Sequence, residues 1–342
     1  MIVRQEVAAE DIAPYLKAHI EGFHGLRSIE KFSSGQSNPT YLLKAASGDY
    51  VLRAKPPGNL LKSAHQVDRE YRVMAALQGT AVPVPRVLHL SSDGTPIGRM
   101  FFVMERVPGR IFWDPALPEA SGNDERAAIY DAMNELLADL HNVDPAAAGL
   151  GDYGRPGNYF ARQLRRWRDQ YRATETATVH DVDTLIRWLD ENLPEEDGQM
   201  SLVHGDFRLD NMIFAADEPK VAALIDWELS TLGHPTADLA YQCMQWRLPH
   251  SSSFKGLGGI DRKRLGLPTE EAYVEQYARR RGLTRIDDWT FCLAFSFFRL
   301  AAICQGVYKR ALDGNASNPD KAESYGRMVG LLAGLAVEVA EA

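Results

Sequence analysis

Three short apolar runs, each tied to a polar residue, constrain this 342-residue chain more than any other feature in it. Leu202-Val203 leads into His204-Gly205-Asp206, Asn211 opens Met212-Ile213-Phe214, and Leu224-Ile225 delivers Asp226. Brief apolar runs bounded by Gly, Asp and Asn read as buried strands. The polar groups therefore sit at strand ends, anchored by their apolar flanks to what reads as one rigid hairpin, and a preorganised site needs such support. The residue types suit phosphoryl transfer to a hydroxyl. One carboxylate can accept the hydroxyl proton, while an amide and a second carboxylate can hold Mg²⁺, an ion that prefers oxygen ligands. Zinc-dependent hydrolysis is a rival use of His204 and Asp206, but no H-E-x-x-H run or Cys/His cluster supplies further ligands.

The rest of the chain changes character once, near residue 105. Before it, β-branched and aromatic runs at 29–32, 41–45, 50–54, 86–90 and 100–105 predict a small sheet, with one helix over 65–77. After it, helical periodicity predominates at 124–142, 158–174, 182–192, 236–246, 269–281, 287–312 and 319–340. The chain accordingly reads as a β-rich N-terminal lobe, residues 1–104, and a larger helical lobe, residues 105–342. The apolar stretch Phe291–Val307 is interrupted by Arg299 and Gln305 and reads as a buried helix rather than a membrane span. Glu6, Glu10 and Asp11 stand where an export signal needs an apolar segment. Three cysteines without a C-x-x-C pair suit a reducing compartment, so a soluble cytoplasmic protein is expected. The net charge of -8 argues against a nucleic-acid partner. Oligomeric state is not written in the sequence.

His204-Gly205-Asp206-x4-Asn211 followed by Ile225-Asp226 resembles the aminoglycoside phosphotransferase and choline kinase group, and most closely the bacterial phosphotransferases related to the kinase-like domain fused to acyl-CoA dehydrogenases. Tyr50-Val51-Leu52-Arg53, Val67-Asp68-Arg69-Glu70-Tyr71 and Gly233-His234-Pro235-x2-Asp238 support the resemblance, which spans about residues 25 to 310. It implies an α+β, two-lobed protein-kinase-like fold and a Mg²⁺-dependent transfer of phosphate from ATP or GTP to a small-molecule hydroxyl. It further implies that Asp206 is the catalytic base and that Asn211 and Asp226 ligate Mg²⁺; Arg208, inside the catalytic loop, is a further catalytic candidate that either stabilises the loop or touches substrate. Glu70 would ion-pair with the strand residue that meets the α/β-phosphates. Ser33, Gly35, Gln36, Ser37 and Asn38 would belong to the phosphate-covering loop, and Met104, Glu105 and Val107 to the segment that meets the adenine.

Arg53 stands where many kinases carry lysine. Lys55 shares its strand face about 6–7 Å further on, but abuts Pro56-Pro57. A permanently charged guanidinium can hold phosphate bidentately, so Arg53 is the preferred partner. The departure also raises a nucleotide-binding module without catalysis as an alternative. For the acceptor, charge offers a weak guide. Residues 113–200 are acidic, whereas 250–342 are slightly basic, which does not favour a polycationic aminoglycoside. Arg299, in an apolar helix, needs a partner, either an anionic substrate or an internal carboxylate. The reading is a hydroxylated metabolite such as a hydroxyacyl compound, with a true aminoglycoside as the alternative.

Overall fold

The computed structural model describes residues 7–32, 38–57, 66–314 and 322–342. In chain order the elements are α1 (Ala9–His19), β1 (Leu26–Lys31), β2 (Thr40–Ala45), β3 (Gly48–Ala54), α2 (Val67–Leu77), β4 (Val87–Ser91), β5 (Phe101–Glu105), α3 (Asn123–Asn142), α4 (Tyr159–Thr174) and α5 (His180–Glu191). They continue as β6 (Ser201–Val203), β7 (Met212–Phe214), β8 (Val221–Leu224), β9 (Thr231–Gly233), α6 (Thr236–Cys243), α7 (Glu270–Arg280), α8 (Trp289–Leu312) and α9 (Ala322–Glu341). The chain clusters into two compact units. One holds the residues up to Arg110 together with Ala148–Leu150 and Asn211–Ser230; the other holds Ile111–Ala147, Gly151–Asp210 and Thr231–Ala342.

The first unit is built on an antiparallel sheet of five strands in the order β1-β2-β3-β5-β4. Ile12 and Leu16 of α1, four apart on one helix face, pack with Ile20 and Phe23 against Leu43, Leu52, Phe101 and Val103. On α2 the residues Val67, Glu70, Val73, Met74 and Leu77 are buried, an inward stripe at helical spacing with one carboxylate in it. The hairpin β7–β8 joins this unit through a bridge between Arg110 and Phe214 and through the Leu224 N–H donating to the Pro83 carbonyl at 2.8 Å. Gly109 makes the bridge possible, because a Cβ there would lie 2.1 Å from the Phe214 carbonyl oxygen.

The second unit is helical. Its centre is the 24-residue α8, buried from Phe291 to Gly306 apart from Ile303 and packed against α4, α5, α6 and α9. By length and composition α8 could cross a membrane, but 83% of its most apolar window is buried inside the protein, as a core helix requires. Gln305, the polar interruption near its end, donates to the Thr174 carbonyl at 2.6 Å, which meets the demand of a buried amide.

The motif strands do not form the single hairpin expected from the sequence. β6 pairs with β9, Ser201 opposite Gly233, while β7 pairs with β8, and the two ladders belong to different units. The chain leaves one unit for the other between Asp210 and Asn211, inside the motif itself. The positive φ of Gly205, 81°, turns the chain after β6, and a 3₁₀ turn over Leu209–Asn211 redirects it into β7.

Candidate active site

Two clusters carry the motif residues, one in each unit. In the first, the pleat of β3 buries Leu52 and Ala54 in the core and leaves Arg53, between them, on the other face. Its Nε lies 2.8 Å from Glu70 Oε2, its Nη2 donates to Asp226 Oδ1 at 2.6 Å, and Glu228 Oε2 is 3.7 Å from Nη2. Asn38 donates to the other oxygen of Glu70 at 2.8 Å. One guanidinium thus faces three carboxylates. Burial pushes the Glu70 carboxyl up to about 7, Asp226 and Glu228 add to the rise, and Arg53 opposes it. Burial works against the charge of Arg53, but Glu70, Asp226 and Glu228 outweigh it and raise its already high pKa. Lys55, just beyond the end of β3, lies 3.9 Å from Asp68 instead.

Asp226 follows β8 with φ of 65°, a left-handed conformation tolerated by Asp, and its side chain is 34% exposed. Asn211 is buried at the end of the 3₁₀ turn, and its carbonyl accepts the Ile225 N–H at 2.9 Å, tying the two segments together. Met104 is buried in β5 opposite Val51 and Val87. Glu105 accepts the Arg86 N–H at 3.1 Å, and Val107 is half-buried in the segment beyond the strand. Ser33, Gly35, Gln36 and Ser37 lie outside the described residues. Among the described residues no group of three or more His, Cys, Asp or Glu side chains forms a self-sufficient metal site.

In the second unit, the loop after β6 is pinned from below by Asp238, near the start of α6. One oxygen of this enclosed carboxylate accepts the His204 N–H at 2.6 Å and the other the Gly205 N–H at 2.8 Å. His141 Nε2 stands 3.4 Å away, and its Nδ1 meets the Tyr277 hydroxyl at 2.7 Å. His141 is thus a packed histidine of the loop's support. The Asp206 N–H donates to His204 Nδ1 at 3.2 Å. Arg208 Nε lies 3.3 Å from Asp206 Oδ1, and its Nη2 donates to Asp210 at 2.9 Å, so Arg208 braces two carboxylates of one loop. Burial would raise the Asp206 carboxyl, but Arg208, the Tyr241 hydroxyl, His204 and Arg299 together hold it below the usual carboxylate range. Its side chain keeps 21% of its surface open.

Among the described residues, the hydrogen-bond partner of Arg299 is a backbone carbonyl rather than an internal carboxylate. Arg299 donates to the Gly205 carbonyl and lies over the rings of Tyr241 and Trp167. Beside Arg208 and Asp210 opens a cavity of about 270 Å³, lined by Phe112, Trp113, Met244, Leu248, Phe254 and Leu300. Asp210 is the one acidic side chain among its lining residues, and Lys255 on its wall is held by Asp114 at 2.8 Å. Sequence reasoning missed Glu228, Tyr241 and Trp167 as parts of these clusters. Two carried a signal: Glu228 stands two residues after Asp226, and Tyr241 stands three after Asp238, on the same helical face.

A scan of family profiles matches the phosphotransferase enzyme family over residues 28–291. Acyl-CoA dehydrogenase family member 10 of Mus musculus is 46% identical over 339 residues, 98% of this chain, which spans only 31% of that relative. A crystal structure from Ralstonia eutropha JMP134, provisionally named an aminoglycoside phosphotransferase, is 45% identical with a TM-score of 0.89, covering 98% of this chain and 99% of the other. An aminoglycoside phosphotransferase crystallised with ADP and hygromycin B is 17% identical with a TM-score of 0.61, covering 96% of this chain and 98% of its own. These likenesses, with the antiparallel N-terminal sheet and the helical C-terminal part, identify the kinase-like α+β fold.

Proposed function

The chain belongs to the phosphotransferase enzyme family, and from that premise we propose that it moves the γ-phosphoryl group of ATP or GTP to a hydroxyl of a small-molecule acceptor. The observation that carries this reading is Asp206: a carboxylate held ionised, partly open, on a loop whose backbone is fixed by Asp238. In the proposed reaction Asp206 takes the hydroxyl proton as the acceptor oxygen bonds to the γ-phosphorus. The bond from that phosphorus to the β–γ bridging oxygen breaks, and the nucleoside diphosphate leaves with that oxygen. Arg208 keeps the base aligned, and Arg53, oriented by Glu70, offers donors to the α/β-phosphates. Asn38 and the loop residues Ser33, Gly35, Gln36 and Ser37 would cover the phosphates, while Met104, Glu105 and Val107 would meet the base.

The donors present suit Mg²⁺. Asn211 and Asp226 offer hard oxygens, and three carboxylates around one guanidinium leave a surplus of negative charge. Asn211 and Asp226 would hold the ion, which when bound would supply charge neutralisation for the transferred phosphoryl group.

For the acceptor, the aromatic and aliphatic cavity beside Arg208 supports a hydroxylated metabolite with an apolar part, such as a hydroxyacyl compound. A polycationic aminoglycoside would call for several carboxylates, and Asp210, already engaged by Arg208, is the one acidic group lining it. Calorimetric titration with Mg-ATP and Mg-GTP, on the wild type and Asp226→Ala, tests the reading. Metal-dependent binding of at least one nucleotide is expected, weakened tenfold or more in the variant; binding of neither overturns the proposal. Nucleoside diphosphate release is then followed with hydroxyacyl thioesters and with kanamycin. Turnover with the former is expected to fall about 10²–10⁴-fold in Asp206→Ala, and binding without turnover on any acceptor would favour a non-catalytic module.

A further inference from the structure

A guanidinium withdrawn from water needs partners for its charge and its donors. Arg299, midway along α8, is 7% exposed. Its Cζ stands 5.1 Å from the ring centre of Tyr241 on α6 and 5.6 Å from that of Trp167 on α4. Its Nη2 donates to the carbonyl of Gly205, the residue immediately before Asp206. Both peptide groups of Gly205 are therefore held, the N–H by Asp238 and the carbonyl by Arg299. Gly205 needs such restraint, since a glycine is free to leave its φ of 81°. The Tyr241 ring that walls in Arg299 also points its hydroxyl at the Asp206 carboxylate.

We infer that Arg299 is a positioning residue for Asp206: it locks the Gly205–Asp206 peptide and, through the ring it covers, the hydroxyl that meets the carboxylate. The functional meaning of this lock rests on Asp206 being the base proposed above; the lock itself does not. Arginine suits the place because its flat, weakly hydrated cation can lie against two aromatic faces while its edge donates, which an ammonium cannot reproduce.

The test is a ¹³Cγ NMR titration of aspartate-labelled protein, with the Asp206 resonance assigned through Asp206→Asn. The groups facing that carboxylate are Arg208 and His204 of its own loop, Tyr241 of α6 and Arg299 of α8. Arg299→Gln keeps a donor for Gly205 but removes the charge and the flat cation. The Asp206 midpoint is expected to rise by on the order of one pH unit, and Arg299→Lys is expected to recover part of that rise. A folded Arg299→Gln whose Asp206 midpoint equals that of the wild type overturns the inference. Should Arg299→Gln not fold, the wild type itself decides. The Arg299 ¹⁵Nε resonance should follow the Asp206 titration and lose that inflection in Asp206→Asn; a resonance that ignores Asp206 overturns the lock. Neither titration uses a nucleotide or an acceptor, so failure here is distinct from failure to bind Mg-ATP.

Discussion

A carboxylate enclosed by protein persists only where donors replace its lost water, and Asp238 has three such neighbours in the His204 N–H, the Gly205 N–H and His141. Burial would raise its carboxyl, yet these partners hold it below the ordinary range. Replacing it with asparagine turns one acceptor into a donor that faces a backbone N–H. Asp238→Asn should lose about 3–5 kcal/mol in urea unfolding; a loss under about 1 kcal/mol would show that the loop does not depend on it. Glu70 is the opposite case, with its carboxyl pushed up to about 7 by burial. Its folded pKa exceeds the unfolded value, so its contribution is full below about 4.5 and fades as pH rises toward 7. Wild-type stability should therefore decline relative to Glu70→Gln across that window, and a constant difference between the two unfolding curves would contradict this. The motif residues of both clusters were legible as types. The partners of Arg53 were less so, because Asp226 and Glu228 reach it from the segment after β8, more than 170 positions away.

At the level of elements, periodicity found most of the helices and strands and failed where context outweighs it. The segment of α1 carries Pro14 in its interior, which removes a donor and argues against a helix, yet Ile12 and Leu16 pay that cost back by burial under the sheet. β9 is only Thr231–Gly233, too short to show alternation, and exists because β6 offers it a partner. The bridge from Arg110 to Phe214 depends on a bare backbone at Gly109. Gly109→Ala should force the two chains apart and cost about 1–3 kcal/mol. Amide exchange at Arg110 and Phe214, whose N–H groups each donate across the bridge at 2.8 Å, should accelerate in that variant; unchanged protection there would refute the packing argument.

For the whole molecule, Asn211–Ser230 clusters with the N-terminal sheet although it follows the helical segments in sequence. If nucleotide and metal bind the Arg53 cluster, Mg-ATP should slow amide exchange together in β3, α2 and the β7–β8 hairpin. Protection confined to β3 and α2 would mean that Asp226 takes no part. The sequence by itself determined the class of fold and the chemical types of the candidate site, because strand and helix periods and the order His-Gly-Asp, Asn, Asp are local properties of a chain. Only the tertiary structure decided that the motif's strands belong to two ladders, that Arg53 rather than Lys55 takes Glu70, and that Arg299 donates to the Gly205 carbonyl. Those choices depend on which distant side chains burial brings within a few ångströms, and no local pattern encodes that distance.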